Sequence, residues 1–265
     1  MTSPDGRAGG AAFLVRALPP VLSVAAVLLA WEASVRLGGI APTVLPAPSR
    51  IGQQLIEHRL ALADHALASM QATVAGFACS LLSAFFLAVL VDFHPRVRRA
   101  LFPIFIISQT LPLVAIAPLV VLWFGFGLAP KILLVALVTF FPMLVALVEG
   151  FESTDRDISA LLASMGAPRW RMFTMARLPS ALPYFFAGLR ISITYAVVAA
   201  IFAEYAGAAK GLGIYILSAK NNFRPDLVLA AVAVSATLTL VLFGLTLAIQ
   251  ALTMPWLRAT RAAKP

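Results

Sequence analysis

Residues 100–130 read ALFPIFIISQTLPLVAIAPLVVLWFGFGLAP, a run with no Asp, Glu, Lys, Arg or His. A bilayer core of about 30 Å needs roughly 20 apolar helical residues, so a charge-free run of this length has lipid as its natural solvent. Two further runs, between His65 and Asp92 and between Asp226 and Arg258, are equally free of charge. Composition agrees: 61% of the chain is hydrophobic and only 12% charged, with a mean hydropathy of +0.95. Soluble domains are about 25% charged.

Hydrophobicity and helix breakers together predict six spans, at about 17–38, 69–92, 100–124, 130–150, 182–205 and 227–251. Backbone groups in lipid must bond within the segment, so each span is expected to be a helix. The fold class is therefore an all-α polytopic membrane protein. Pro103, Pro112 and Pro118 make the third span a bent helix facing protein or a cavity, and Pro130 lies where a first-turn proline opens the fourth. The N-terminal stretch resembles a secretory signal superficially, but Trp31 and Glu32 stand where small residues would be wanted, which favours an uncleaved first helix.

A net charge of +9 is one mark of nucleic-acid binding, yet here the basic residues sit between apolar spans without interleaved stacking aromatics. They read as topology signals. Twelve lie on one side: Arg7, Arg16, Arg96, Arg98, Arg99, Arg156, Arg169, Arg171, Arg177, Arg258, Arg261 and Lys264. Seven lie on the other (Arg36, Arg50, Arg59, Lys131, Lys210, Lys220 and Arg224), with Arg190 inside the fifth span. The richer side is expected to be cytoplasmic, with both termini on it. This divides the chain into a tail at 1–16, a membrane domain at 17–251 and a second tail at 252–265. Cys79, the sole cysteine, excludes a disulfide within one chain and reads as a small buried hydrophobe.

Two connections are longer than turns require. The outer one, about 39–68, contains Pro48-Ser49-Arg50 before an amphipathic stretch, predicting a Ser-capped surface helix. The inner one is about 151–181, and from Asp155 the chain reads DRDISALLASMGAPRWRMFTMARLPSALPYFFAGLR, running on into the fifth span at Arg190. Gly166-Ala167-Pro168 should separate two short helices crossing at an angle, the second ending before Pro179. That second helix carries Trp170, Met172 and Phe173 among Arg169, Arg171 and Arg177. Such a ridge suits either an interfacial helix with snorkelling arginines or docking into a partner's groove.

Gly166 followed by Ala176, Leu178 and Pro179 resembles the cytoplasmic-loop signature of binding-protein-dependent ABC importer permeases: Glu-Ala-Ala, three residues, Gly, nine residues, Ile, one residue, Leu-Pro. Ala160 stands where that pattern has its acid, and Ala176 where it has Ile. The resemblance continues through Leu45-Pro46-Ala47-Pro48-Ser49, Gln109-Thr110-Leu111-Pro112, Ala117-Pro118-Leu119, Leu122-Trp123-Phe124-Gly125-Phe126-Gly127 and Glu204-Tyr205-Ala206-Gly207 with Gly211-Leu212-Gly213. These look like the nitrate, taurine and aliphatic-sulfonate branch. Phe140-Phe141-Pro142 and Ser164-Met165-Gly166 look most like permeases for thiamine pyrimidine precursors or riboflavin.

The resemblance implies a six-helix fold of the methionine-importer type, a second permease copy forming a homodimeric pore, two ABC ATPase subunits on the cytoplasmic side and an extracytoplasmic binding protein, in a bacterial plasma membrane. ATP and Mg would be bound by the ATPase partner and no cofactor by this chain. The coupling contacts would fall on Ala160, Met165, Gly166, Arg169, Trp170, Arg171, Phe173, Leu178 and Pro179. An ATP-independent secondary transporter is the alternative, weakened by the lack of an obvious internal repeat. An intramembrane enzyme would need a nucleophile facing a base, which the Ser and His placement does not offer. No phosphate loop, zinc-protease motif or nucleophile elbow occurs, and His58, His65 and His94 form no ligand set.

Candidate pathway residues each carry two readings. Gln109 and Thr110, beside Pro112, either offer polar groups to a solute or bond between helices. Phe140, Phe141 and Tyr195 either stack on a planar heterocycle or pack. Glu204 reads as an interfacial acid near Lys210 at the outer mouth, or as a functional ionisable group at membrane depth. Gly211-Leu212-Gly213 is expected to turn the last external connection.

Overall fold

The computed structural model describes residues 8–255, with side chains from Leu18 onward. Arg7, Arg258, Arg261 and Lys264, counted above, lie outside the described residues, as do most of the two expected tails. The described chain is helical: α1 (Ala8–Leu37), α2 (Pro48–Glu57), α3 (Arg59–Phe93), α4 (Pro95–Thr110), α5 (Leu113–Phe124), α6 (Leu128–Glu152), α7 (Arg156–Ser164), α8 (Arg169–Met172), α9 (Leu178–Tyr205), α10 (Leu212–Asn221) and α11 (Pro225–Thr253). A π-helical turn, Phe173–Arg177, joins α8 to α9 without a break.

Five segments are long and apolar enough to cross a bilayer: α1, α3, α6, α8 through α9, and α11. Helices α4 and α5 pass the same test only as a pair, bent by 101° at their junction, and add a sixth crossing if the pair is counted as one span. The third span is thus two helices rather than one bent helix. A proline pushes its predecessor out of the helical region, and both Leu111 (ψ 124°) and Pro112 (ψ 120°) are extended.

Helix α6 is the centre, sandwiched between α3 and α9. Small residues let α6 and α9 approach closely, as expected where lipid supplies no hydrophobic drive to helix pairing: a Cβ on Gly188 would lie 2.5 Å from Ala146 Cβ, and one on Gly150 2.9 Å from Ala181 Cα. At one end Phe151, Phe173, Val91, Met143 and Met254 form a core. At the other, Ile51 of α2, Leu62, Leu212 and Ile216 close a second cluster. Helix α1 touches the body chiefly through α2, and Leu18, Val21, Leu22 and Leu29 are exposed.

Several local expectations are corrected. Helix α3 begins at Arg59, ten residues before its predicted start. Ser49 does not cap α2, whose N-cap is Ala47 with no side-chain bond. Instead its Oγ donates to Glu32 Oε1 at 2.7 Å and its N–H to Oε2 at 3.0 Å, tying α2 to α1. Cys79 is exposed, because the buried stripe of α3 runs through Ala72, Gly76, Ser80 and Ala84 and turns it outward. The helix before Pro179 does not stop there. Pro179 follows directly on the π-helical turn as the second residue of α9, inside the continuous helical run.

Candidate functional site

The inner connection is built from both sides of Gly166. Helix α7 starts on Asp155, whose Oδ1 accepts the Asp157 N–H at 2.8 Å, and ends where Gly166 adopts φ +73°. That left-handed conformation turns the chain, and Pro168 then starts α8. Phe173 is 3% exposed and lies between Phe151 at 5.1 Å and Phe93 at 5.5 Å, ring centre to ring centre. Trp170 stacks on Phe173 at 5.6 Å but remains 63% exposed. The predicted ridge is therefore divided: Phe173 anchors it from within, out of reach of a partner. The exposed apolar surface is Ile158, Leu161, Met165 (73%) and Trp170, flanked by exposed Arg169 and Arg171. Ala160, Gly166 and Pro179 are also exposed, and Leu178 is half-buried.

One ion pair fixes the elbow to the membrane helices, and a second joins two of those helices beside it. Arg177 pairs with Asp92 of α3, and Arg98 of α4 with Glu152 of α6. Both border a cavity of about 720 Å³ that Arg156 and Ser159 of α7 also line.

The predicted pathway residues separate into two places. Gln109 lines a cavity of about 240 Å³ with Leu111, Leu113, Tyr195 and Phe202, beside the α4–α5 bend. Thr110 bonds within its own helix, its Oγ1 donating to Ile107 O at 2.7 Å, and Pro112 forms the corner. Phe141 lies further along the same α6–α9 face, in a groove of about 360 Å³ with Tyr184, Glu149, Gly188 and Ile191.

Glu204 belongs to neither cavity, and the expected partnership with Lys210 is corrected: the Lys210 ammonium pairs with Asp64 at 2.7 Å. Glu204 is fully buried. Its carboxylate accepts Ser69 Oγ at 2.8 and 3.0 Å and the Gly213 N–H at 2.7 Å, with Lys131 Nζ at 3.8 Å. Lys131 also donates to the Lys210 carbonyl at 2.9 Å. The Gly211-Leu212-Gly213 stretch does more than turn a connection. A Cβ on Gly211 would lie 2.1 Å from the Glu204 carboxyl carbon, so only glycine admits the carboxylate. No sequence motif marks Ser69, and the sequence shows Lys131 only as a topology charge and His65 only as a lone histidine; in the fold His65 accepts the Gly211 N–H at 3.1 Å. The visible sign was an acid followed shortly by two glycines.

Residues 76–258 match the family described as the binding-protein-dependent transport system inner membrane component. The chain is 33% identical over 229 residues to a probable ABC transporter permease protein of Haemophilus influenzae, covering 86% of this chain and 94% of the relative. It is 34% identical over 242 residues to the formylaminopyrimidine transport permease protein of Halalkalibacterium halodurans, covering 91% and 96%. It is 33% identical over 232 residues to the riboflavin transport system permease protein of Chloroflexus aurantiacus, covering 86% of each.

Proposed function

This chain belongs to the binding-protein-dependent transport system inner membrane component family, and from that premise we propose that it forms a homodimeric permease of the methionine-importer type, both termini cytoplasmic. It receives a small organic solute from an extracytoplasmic binding protein and passes it inward. The solute is a pyrimidine thiamine precursor, a riboflavin-like molecule or a sulfonate of the taurine type. Two ABC ATPase subunits, which bind ATP and Mg, dock on the α7–α8 elbow and supply the work.

The observation that carries this reading is the elbow's exposed apolar ridge, Leu161, Met165 and Trp170, held on the buried Phe173 and rimmed by Arg169 and Arg171. A rigid apolar knob with a basic rim suits insertion into a partner's groove. It joins directly to α9, so movement of a docked partner passes into a membrane-crossing helix, as in rigid-body transitions between discrete packings.

Charge reversal of Arg169 and Arg171 to Glu, and Gly166→Val, test the docking. The valine meets no neighbour within 4 Å but must adopt φ +73°, a strain of about 1–2 kcal/mol for a residue with a Cβ. Both changes are expected to reduce ATPase co-purification and ATP-driven uptake. Unchanged uptake in both would sink the assignment.

A further inference from the structure

Helices α6 and α9 carry five charges: Lys131, Glu149, Glu152, Arg190 and Glu204. Lys131 pairs with Glu204, and Glu152 with Arg98. Among the described residues Glu149 and Arg190 have no ion-pair partner. Arg190 turns along its own helix, its Nε donating to Phe186 O at 3.2 Å. Glu149 is exposed and lines the α6–α9 groove.

That groove has a fixed shape. Its floor is set by the close approach of Gly188 to Ala146, where no side chain can intervene. Its walls include the rings of Phe141 and Tyr184. Its volume of about 360 Å³ lies within the range of small-molecule sites, which combine apolar or aromatic walls with a few placed polar groups. Glu149 stands one turn before the end of α6 at Glu152, so its exposed carboxylate sits at the inner mouth of the groove, free to bind a solute there.

We infer that Glu149 is a specificity-determining residue of the transported solute, accepting an N–H from a planar nitrogen heterocycle that lies against Phe141 and Tyr184. The inference rests on the importer reading above and narrows its solute class. A carboxylate accepts N–H groups in strong, charge-assisted hydrogen bonds. The same charge repels a sulfonate, so it selects against anions as well as for donors. Two of the similar permeases are named for a formylaminopyrimidine and for riboflavin, both nitrogen heterocycles.

The test uses the complete transporter, with its own ATPase and binding protein, in cells given radiolabelled 4-amino-5-hydroxymethyl-2-methylpyrimidine, riboflavin or taurine. Wild type is expected to accumulate a heterocycle and not taurine. E149L should lower that uptake at least about tenfold, the scale of one lost hydrogen bond to a charge. E149Q, which keeps an acceptor oxygen, should lose less, and both variants should co-purify with the ATPase as wild type does. Taurine uptake by wild type, unchanged heterocycle uptake in E149L, or loss of ATPase co-purification in E149Q would each overturn the inference. Uptake that persists when the ATPase partner is catalytically disabled would overturn the importer reading instead.

Discussion

Glu204 has no access to solvent, so protein donors must replace the water it has lost. Ser69, Gly213 and Lys131 do so. Removing one partner of a buried ion pair strands the rest, at a cost of about 3–5 kcal/mol, so Glu204→Ala should lower the thermal unfolding midpoint in detergent sharply. Glu204→Gln keeps one acceptor and should cost less. Gly211→Ala should approach the Glu204→Ala effect, because its Cβ would occupy the carboxylate's place. The double variant should then show strong non-additivity, as expected for residues sharing one contact. At this scale the sequence was least legible. An acid near the end of an apolar run fits an interface or a buried site equally well, and what decides between them is the arrival of Ser69 from 135 positions away.

The elbow between α7 and α9 was legible in outline, since Gly-Ala-Pro dictates a turn followed by a helix start. Its internal division was not. Trp170 and Phe173 lie one turn apart, and only the packing of Phe93 and Phe151 shows that Phe173 faces inward. The division makes two substitutions separable. Phe173→Ala should destabilise the protein by about 3 kcal/mol, the usual cost of emptying a buried aromatic site, read as a lower unfolding midpoint. Trp170→Ala, at an exposed position, should reduce ATPase co-purification while moving that midpoint much less. Equal shifts from both would assign the ridge to packing alone. Helix α10 also escaped the sequence reading, because its ten residues follow glycines that read as a turn.

For the whole molecule, hydropathy and helix breakers marked the five crossing helices and the α4–α5 pair, because the bilayer's thickness constrains length more tightly than any packing preference does. The central place of α6 was hidden, since every span is apolar and composition does not rank neighbours. Orientation rests on charge asymmetry and is directly testable. Cys79→Ser yields a cysteine-free background, into which Met165→Cys and Phe223→Cys can be introduced separately. These positions are 73% and 81% exposed, on opposite ends of the bundle. A membrane-impermeant maleimide applied to intact cells should label the Phe223 site and spare the Met165 site. The reverse pattern would invert the assigned topology.

The unbroken run from Arg169 to Tyr205 has a mechanical consequence. At 1.5 Å per residue its 37 residues make a rod of about 55 Å, well over the roughly 30 Å of the bilayer core. A tilt of about 5° pivoted at Trp170 would carry the far end about 5 Å, nearly one helical pitch. That far end is the buried Glu204 and its seat on Gly213. The π turn at Phe173 stands at the elbow end of this run, so under the docking proposed above a modest push on the elbow would emerge as a large stroke at the Glu204 end.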